Sequence, residues 1–415
     1  MRKCWFILLL LVACKAEIQT EVDTPIETVP KYATYGYTGF TKEEKKAYRR
    51  LLLEGGSIRQ GGDPSRFYFL NFSEIERHSR ILRSDKPLIL EEAPKEAVKD
   101  FQVPERLDHG GGLSLNEYIQ QTEVDGLIIV HNGKIVFEGY PRMFPTDLHV
   151  NYSLTKIYVS CSVAILADRG LVDVTLSIDH YLEGLKGSEW EGISLKDILA
   201  MSSGMNPASS NRLFNSAYST EEQIKALTTA RAYKPPGTEY DYRGINTTLL
   251  TLLVEEISGL TFSDFLEREI WQKIGMEYDA LLGKRANGIA ATSSFGISST
   301  LRDLARFGLA FTPSGRKDAS PIISEGHLEK IRYVNEKLRA KSWYSEDMKC
   351  PGYQWDEIYE DGDFYKGGHG GQGLYISPRR DLVIAFYGTY NEEKEEHQLP
   401  AISRDLAKSE MFNNQ

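Results

Sequence analysis

Two β-hairpin patterns stand far apart in this chain, and a sheet that pairs them must close the long stretch between them into one folded body. The first runs Gly126-Leu127-Ile128-Ile129-Val130-His131, then Asn132-Gly133, then Lys134-Ile135-Val136-Phe137-Glu138. Two apolar runs of strand length flank an Asn-Gly pair, which supplies the positive φ angles that a type I′ turn requires. The second comprises Leu374 to Ser377 and Leu382 to Tyr387, joined by Pro378-Arg379-Arg380-Asp381. Helical patterns fill the interval. The expectation is an α+β fold, an α/β sandwich in which one antiparallel sheet is assembled from both ends of the region and a helical lobe is inserted between them. A chain of 415 residues is ample for one large two-lobed domain.

The helical insertion opens with Ser153-Leu154-Thr155-Lys156, at the head of a stretch from Ser153 to Arg169 whose apolar positions Ile157, Val159, Val163, Ala164, Ile165 and Ala167 predict an amphipathic helix. Residues i and i+3 are neighbours on one helix face, so the lysine amine can reach the serine hydroxyl. A serine becomes a competent nucleophile when a nearby base takes its proton, and a lysine kept neutral by its surroundings can be that base. The helix N-terminus would favour a developing oxyanion at Ser153. A second match, Ser314-Gly315-Arg316-Lys317, has no amphipathic helix behind it and reads as a solvated segment.

Further motifs follow in order. Leu199-Ala200-Met201-Ser202-Ser203-Gly204-Met205 ends a short helical pattern. Pro236-Gly237-Thr238-Glu239-Tyr240-Asp241-Tyr242-Arg243-Gly244 delivers a tyrosine just before the helical run Thr247 to Ile257. Ser298 to Gly308 reads as a capped helix start, and Gly368-His369-Gly370-Gly371-Gln372-Gly373 runs into a strand. This series resembles the serine β-lactamase and penicillin-binding protein superfamily, in particular its class C-like branch with esterases and 6-aminohexanoate-oligomer hydrolases. The resemblance covers roughly His109 to the C-terminus and implies a β-lactamase/transpeptidase-like fold. It implies that Ser153 is the acylated serine and Lys156 its partner, and that Tyr242, at the tyrosine of the Tyr-x-Asn motif, moves protons. It further implies that His369-Gly370-Gly371 stands where relatives carry Lys-Thr-Gly or a variant, with the Gln372 N–H joining the Ser153 N–H in an oxyanion hole. Two departures stand out. Gly244 replaces the Asn of the second motif, and on this alignment His369 replaces the lysine of the third, making its cation pH-dependent. Both argue against β-lactams and carboxylate-terminated peptides as substrates.

Each residue also has a plainer reading. Tyr242 is one of 23 tyrosines and could be packing; its place after Pro-Gly and before a helix singles it out. His369 could be a loop histidine. Trp355, in Gly352-Tyr353-Gln354-Trp355, is a candidate pocket wall whose alternative is core packing. Gly368 to Gly373 fits the dinucleotide pattern Gly-x-Gly-x-x-Gly, but a strand follows where that site requires a helix. Neither a Gly-x-Ser-x-Gly elbow nor a His-Glu-x-x-His motif occurs. No metal and no cofactor are implied.

At the amino terminus Arg2 and Lys3 precede the apolar run Trp5 to Ala13, shaped like a signal peptide. Leu11-Val12-Ala13-Cys14 resembles the lipobox of bacterial lipoproteins, which predicts a signal over residues 1–14, lipidation at Cys14 and an envelope location facing the periplasm or the exterior. Residues 15–108 read as a tether and an extension, with a capping box at Thr41-Lys42-Glu43-Glu44, and residues 109–415 as the hydrolase domain. Cys161 and Cys350 could form a disulfide, although Cys161, on the helix behind the nucleophile, reads better as a buried thiol. A net charge of −10 offers no basic patch for nucleic acid.

The sequence thus predicts a serine hydrolase that cleaves small ester or amide substrates through an acyl-serine. The alternatives are a D-aminopeptidase, D,D-peptidase or β-lactamase-type activity on cell-wall-like substrates, and a catalytically silent envelope binding protein.

Overall fold

The computed structural model describes residues 34–55, 60–206, 219–284, 295–316, 321–332, 338 and 348–412. The expected signal with Cys14, the Cys350 side chain and Lys317 lie outside them. Among the described residues no helix is long and apolar enough to cross a membrane.

The main sheet has eight strands, numbered in chain order: β1 Glu91–Glu92, β2 Val124–His131, β3 Lys134–Gly139, β4 Met348–Gly352, β5 Trp355–Tyr359, β6 Phe364–Gly368, β7 Gln372–Ser377 and β8 Leu382–Gly388. Their spatial order is β4-β5-β6-β7-β8-β2-β3-β1. Both expected hairpins form. Asn132 and Gly133 take φ values of 51° and 75°, the signature of the type I′ turn. The hairpins join where β8 pairs antiparallel with β2, Ile384 opposite Ile129, so the two distant hairpins do build one sheet.

Alternation along these central strands supplies two cores. Ile128, Val130, Leu374, Ile376, Val383 and Ala385 face the helical lobe. Leu127, Ile129, Tyr375, Ile384 and Phe386 face the opposite layer. The helices that bear on the site and on the sheet are α1 Lys42–Leu53, α2 Gly62–Leu70, α3 Leu115–Gln121, α4 Thr155–Asp168, α5 Gly244–Ser258, α6 Leu301–Leu309 and α7 Leu399–Lys408. The expected capping box at Thr41 and Glu44 starts α1. On the second face of the sheet, Tyr118 and Ile119 of α3 pack with Leu399, Ile402 and Leu406 of α7.

Helix α4 departs from expectation. Every residue from Thr155 to Leu166 is buried, so the helix is enclosed by the lobe on all sides rather than amphipathic. Cys161 is a buried free thiol whose pKa burial pushes up. The segment before His109 is stitched into the same body. His78–Ile81 pairs with Ala280–Gly283 in a second, four-stranded sheet that also holds Ile297–Ser299 and His149–Val150, and β1 runs parallel to β3.

Candidate active site

Ser153 sits in a 3-10 turn, Tyr152–Leu154, that leads into α4. Tyr152 has φ +44°, a left-handed conformation that costs a non-glycine residue on the order of 1–2 kcal/mol. The surroundings hold that turn firmly. The Asn151 N–H donates to the Ile297 carbonyl at 2.7 Å. The Asn151 side-chain amide donates to Ser299 Oγ at 3.1 Å and accepts from the Tyr387 hydroxyl at 2.7 Å. Tyr387 in turn stacks on His149, centroids 4.5 Å apart and planes 6° from parallel. Strained residues persist where their neighbours over-determine them, and such places are often functional.

Lys156 follows on the first turn of α4. It is buried, and its Nζ donates to Ser153 Oγ at 3.0 Å. Tyr242 lies just before α5, and its hydroxyl is hydrogen-bonded to Ser153 and Lys156. The strand β6 contributes a fourth group, Lys366, whose Nζ donates to the Tyr242 hydroxyl at 3.1 Å. Lys366 is fully buried and ion-paired with Asp356 of β5. The second Asp356 oxygen accepts from the Gly367 N–H at 3.0 Å. This carboxylate bonds to β6 where the backbone pairing of β5 with β6 ends, at Glu357–Tyr365.

The electrostatics follow from these contacts. Burial pushes the Lys366 ammonium toward neutrality, but Asp356 and Tyr242 outweigh it, and its pKa is raised above the ordinary lysine value. For Lys156 the balance falls the other way. Burial lowers its pKa, the Lys366 charge lowers it further, and Tyr242 opposes them only in part. For Tyr242 burial acts upward, while Lys366 and Lys156 together prevail and bring the phenol below its usual value. The site thus holds a fixed cation, an amine biased toward its neutral form and an acidified phenol. Tyr242 is 39 % exposed, so this residue is reachable from outside.

Of the residues expected from sequence, Ser153, Lys156 and Tyr242 come together and the others divide. His369 is exposed at the turn after β6, its ring edge-on to Tyr152 at 5.5 Å and close to Tyr390 at 5.2 Å. The lysine expected to be replaced by His369 is present as Lys366, three residues earlier; Lys366-Gly367-Gly368 is the Lys-x-Gly sequence on the strand. The Gly371 carbonyl is bonded to His397 Nε2 at 2.8 Å. Gln372 is also corrected. It opposes Gly368 across the β6–β7 hairpin. Because the Gly367 N–H points outward to Asp356, alternation turns the Gly368 and Gln372 backbone groups toward each other. The Gln372 side chain donates to the Gly388 carbonyl at 2.9 Å. Trp355 is not a pocket wall: it is buried and packs edge-on against Phe364 at 4.6 Å and Phe311 at 5.5 Å. Asn246, the amide nearest the expected Tyr-x-Asn position, is buried and accepts from Ser203 Oγ at 2.7 Å. Ser314 donates to Asp381. Lys366 and Asp356 escape the reading of the sequence. The available signal is the Lys-x-Gly triplet within the strand pattern itself, masked by the glycine-rich turn that follows it.

The Beta-lactamase family profile matches residues 115–408. The chain is 25% identical over 309 residues to the 6-aminohexanoate-dimer hydrolase of Paenarthrobacter ureafaciens, covering 68% of this chain and 77% of the relative. A solved structure from Bacillus anthracis, assigned as a 6-aminohexanoate-dimer hydrolase, superposes with a TM-score of 0.71 at 22% identity, over 84% of this chain and 93% of that one. A class C beta-lactamase mutant superposes with a TM-score of 0.55 at 17% identity, over 70% of this chain and 94% of its own. With the family profile spanning more than half of its length, this chain belongs to the beta-lactamase family and is a serine hydrolase.

Proposed function

We infer that the protein hydrolyses ester or amide bonds through an acyl-serine at Ser153. The observation that carries this reading is the continuous hydrogen-bonded path Ser153–Lys156–Tyr242–Lys366, with one lysine biased neutral and the other charged. Neutral Lys156 takes the Ser153 proton as Oγ attacks the carbonyl. Tyr242, bonded to both, passes a proton to the leaving group and then draws one from the water that releases the acyl group. Lys366 stays charged and keeps the phenol acidic. The oxyanion is held by the Ser153 N–H and by an amide on the outward side of β6. The N–H groups of Tyr365, Gly367 and His369 share that side by alternation, and His369 is the one beyond the Asp356 contact. Its turn packs against Tyr152, beside the nucleophile.

The 6-aminohexanoate-dimer hydrolase named above suggests small amides among the substrates. Because the Lys366 charge is matched by Asp356, a substrate carboxylate meets less attraction than a bare lysine would provide, which favours neutral esters and amides. The test is covalent labelling with a fluorophosphonate followed by a panel of ester, amide and D-peptide substrates. Labelling of the wild-type protein and none of Ser153→Ala, with Ser314→Ala labelled normally, is the expected result. Label retained by Ser153→Ala would overturn the assignment.

A further inference from the structure

Phe69 lies on α2, well before the region that the family profile matches, yet it is fully buried against the residue that precedes the nucleophile. Its ring meets Tyr152 edge-on, centroids 5.1 Å apart and planes at 75°. The same ring lies 5.5 Å from His149 and 6.3 Å from Tyr390. Tyr390 and Tyr152 also flank His369 at the end of β6. A methyl group at Gly370 would lie 2.8 Å from Tyr390 and 3.1 Å from Phe69, so the turn after β6 is seated directly on this aromatic group. The segment is docked through its backbone as well. The Gly62 N–H donates to the Tyr390 carbonyl at 2.8 Å, and any side chain at Gly61, φ +88°, would collide with the Asn391 carbonyl.

We propose that α2 is part of the active site and that Phe69 is a positioning residue that holds the strained Tyr152 turn and the His369 turn in register with each other. Physically, Tyr152 at φ +44° returns to a relaxed backbone unless its ring is confined. Phe69 confines that ring by meeting it edge-on. Release of the ring would rotate the Tyr152–Ser153 peptide, and with it both the Ser153 hydroxyl and its N–H. A displacement of that kind, on the order of 1 Å, costs about 10²-fold in rate without altering the reacting groups. The inference rests on Ser153 being the nucleophile, as argued above.

The experiment measures the rate constant for phosphonate labelling, together with kcat and KM for an ester, in purified full-length variants of matched folding. Phe69→Ala is expected to slow labelling and kcat by about 10²-fold with KM within a few-fold. Phe72→Ala is the control. Phe72 belongs to the same aromatic cluster, but its ring partner is Tyr68, so a similar loss of melting temperature should leave labelling within about twofold. Tyr152→Gly supplies the readout that a merely structural role would not move. Glycine adopts the left-handed backbone without strain, so in that background Phe69→Ala should slow labelling by less than about threefold. Should Phe69→Ala fail to fold, Phe69→Leu keeps much of the volume without the ring edge and is expected to be about tenfold slow. Normal labelling of a folded Phe69 variant, equal slowing by Phe72→Ala, or an undiminished Phe69 effect in Tyr152→Gly each overturns the proposal. A wild-type protein that takes no label overturns the acyl-serine reading and this inference with it, whereas a labelled wild type with indifferent Phe69 variants overturns this inference alone.

Discussion

The Lys366 ammonium stands 3.1 Å from the Tyr242 hydroxyl, and both lysines lie close to that same tyrosine: Lys366 Nζ is 4.7 Å and Lys156 Nζ 5.0 Å from the ring centroid. Two cations so close in a buried site would repel strongly. Asp356 pairs directly with Lys366 and so favours the charge there, whereas burial is the largest influence on Lys156 and lowers its pKa. The asymmetry that base catalysis requires is therefore built from one carboxylate on β5.

Tyr242→Phe keeps the ring and deletes the hydroxyl between Ser153, Lys156 and Lys366. Activity should fall by roughly 10²–10⁴, the usual cost of removing a general acid or base, with little change in melting temperature because the residue is partly exposed. Tyr240, 6.5 Å away by ring centroid, is the control, and Tyr240→Phe should be mild. Steady-state kinetics on both variants decide; the reverse ranking would remove Tyr242 from the proton path.

Lys366→Met should move the pH profile in a defined direction. Lys156 serves as a base only when neutral, so kcat/KM rises with pH as Lys156 loses its proton. Its pKa is lowered first by burial and also by the Lys366 charge. Without that charge the Lys156 pKa climbs, and the acid limb of the profile must shift to higher pH. Unpaired Asp356 would push the same way. A limb that stays in place or moves to lower pH would show that Lys156 is not the group being titrated.

Much of this arrangement is legible in the sequence alone. Asn132-Gly133 sets the first hairpin because turn chemistry is local, and Ser153 with Lys156 sets the serine–lysine contact because helical spacing is local too. Lys366 is hidden because a lysine inside a strand pattern gives no periodic signal, and the glycine turn after it draws the motif three residues too late. Asp356 is beyond reach for a different reason: its role depends on where β5 separates from β6, a tertiary fact. Trp355 misleads because a large aromatic beside Gln354 can equally line a cleft or fill a core. Phe69 lies far from Tyr152 in sequence and carries no motif at all.

Trp355→Ala should act on stability and not on chemistry. The side chain is fully enclosed by Phe311 and Phe364, and truncation of a buried aromatic costs about 3–5 kcal/mol. Denaturant unfolding should register that loss. The relative kcat/KM for small and bulky esters should stay constant among folded molecules, since no substrate touches this ring. A changed substrate ranking would return Trp355 to the pocket.

Asp125 gives the fold a distinct dependence on acid. It is completely buried, with Arg142 Nε 3.0 Å from one oxygen, and His149 at 3.3 Å and the Thr389 hydroxyl at 2.6 Å on the other. Burial alone would raise its pKa, but Arg142 and His149 overcome that and bring it from 3.8 to about 2. A carboxylate depressed in the folded state stabilises the protein at pH values above its unfolded pKa, and that contribution disappears as pH falls through the folded value. The expected window is therefore from about pH 4 down to about pH 2, with about 2 kcal/mol at stake. Asp125→Asn should lower stability at neutral pH, by leaving the partly buried Arg142 beside a neutral group, and should flatten the decline across that window. The consequence reaches the site, because His149 carries Tyr387, and Tyr387 holds Asn151 beside the Ser153 turn. Urea midpoints measured from pH 2 to pH 7 in both proteins provide the check. Parallel curves with equal acid slopes would show that Asp125 does not titrate in this range and that the acid sensitivity originates elsewhere.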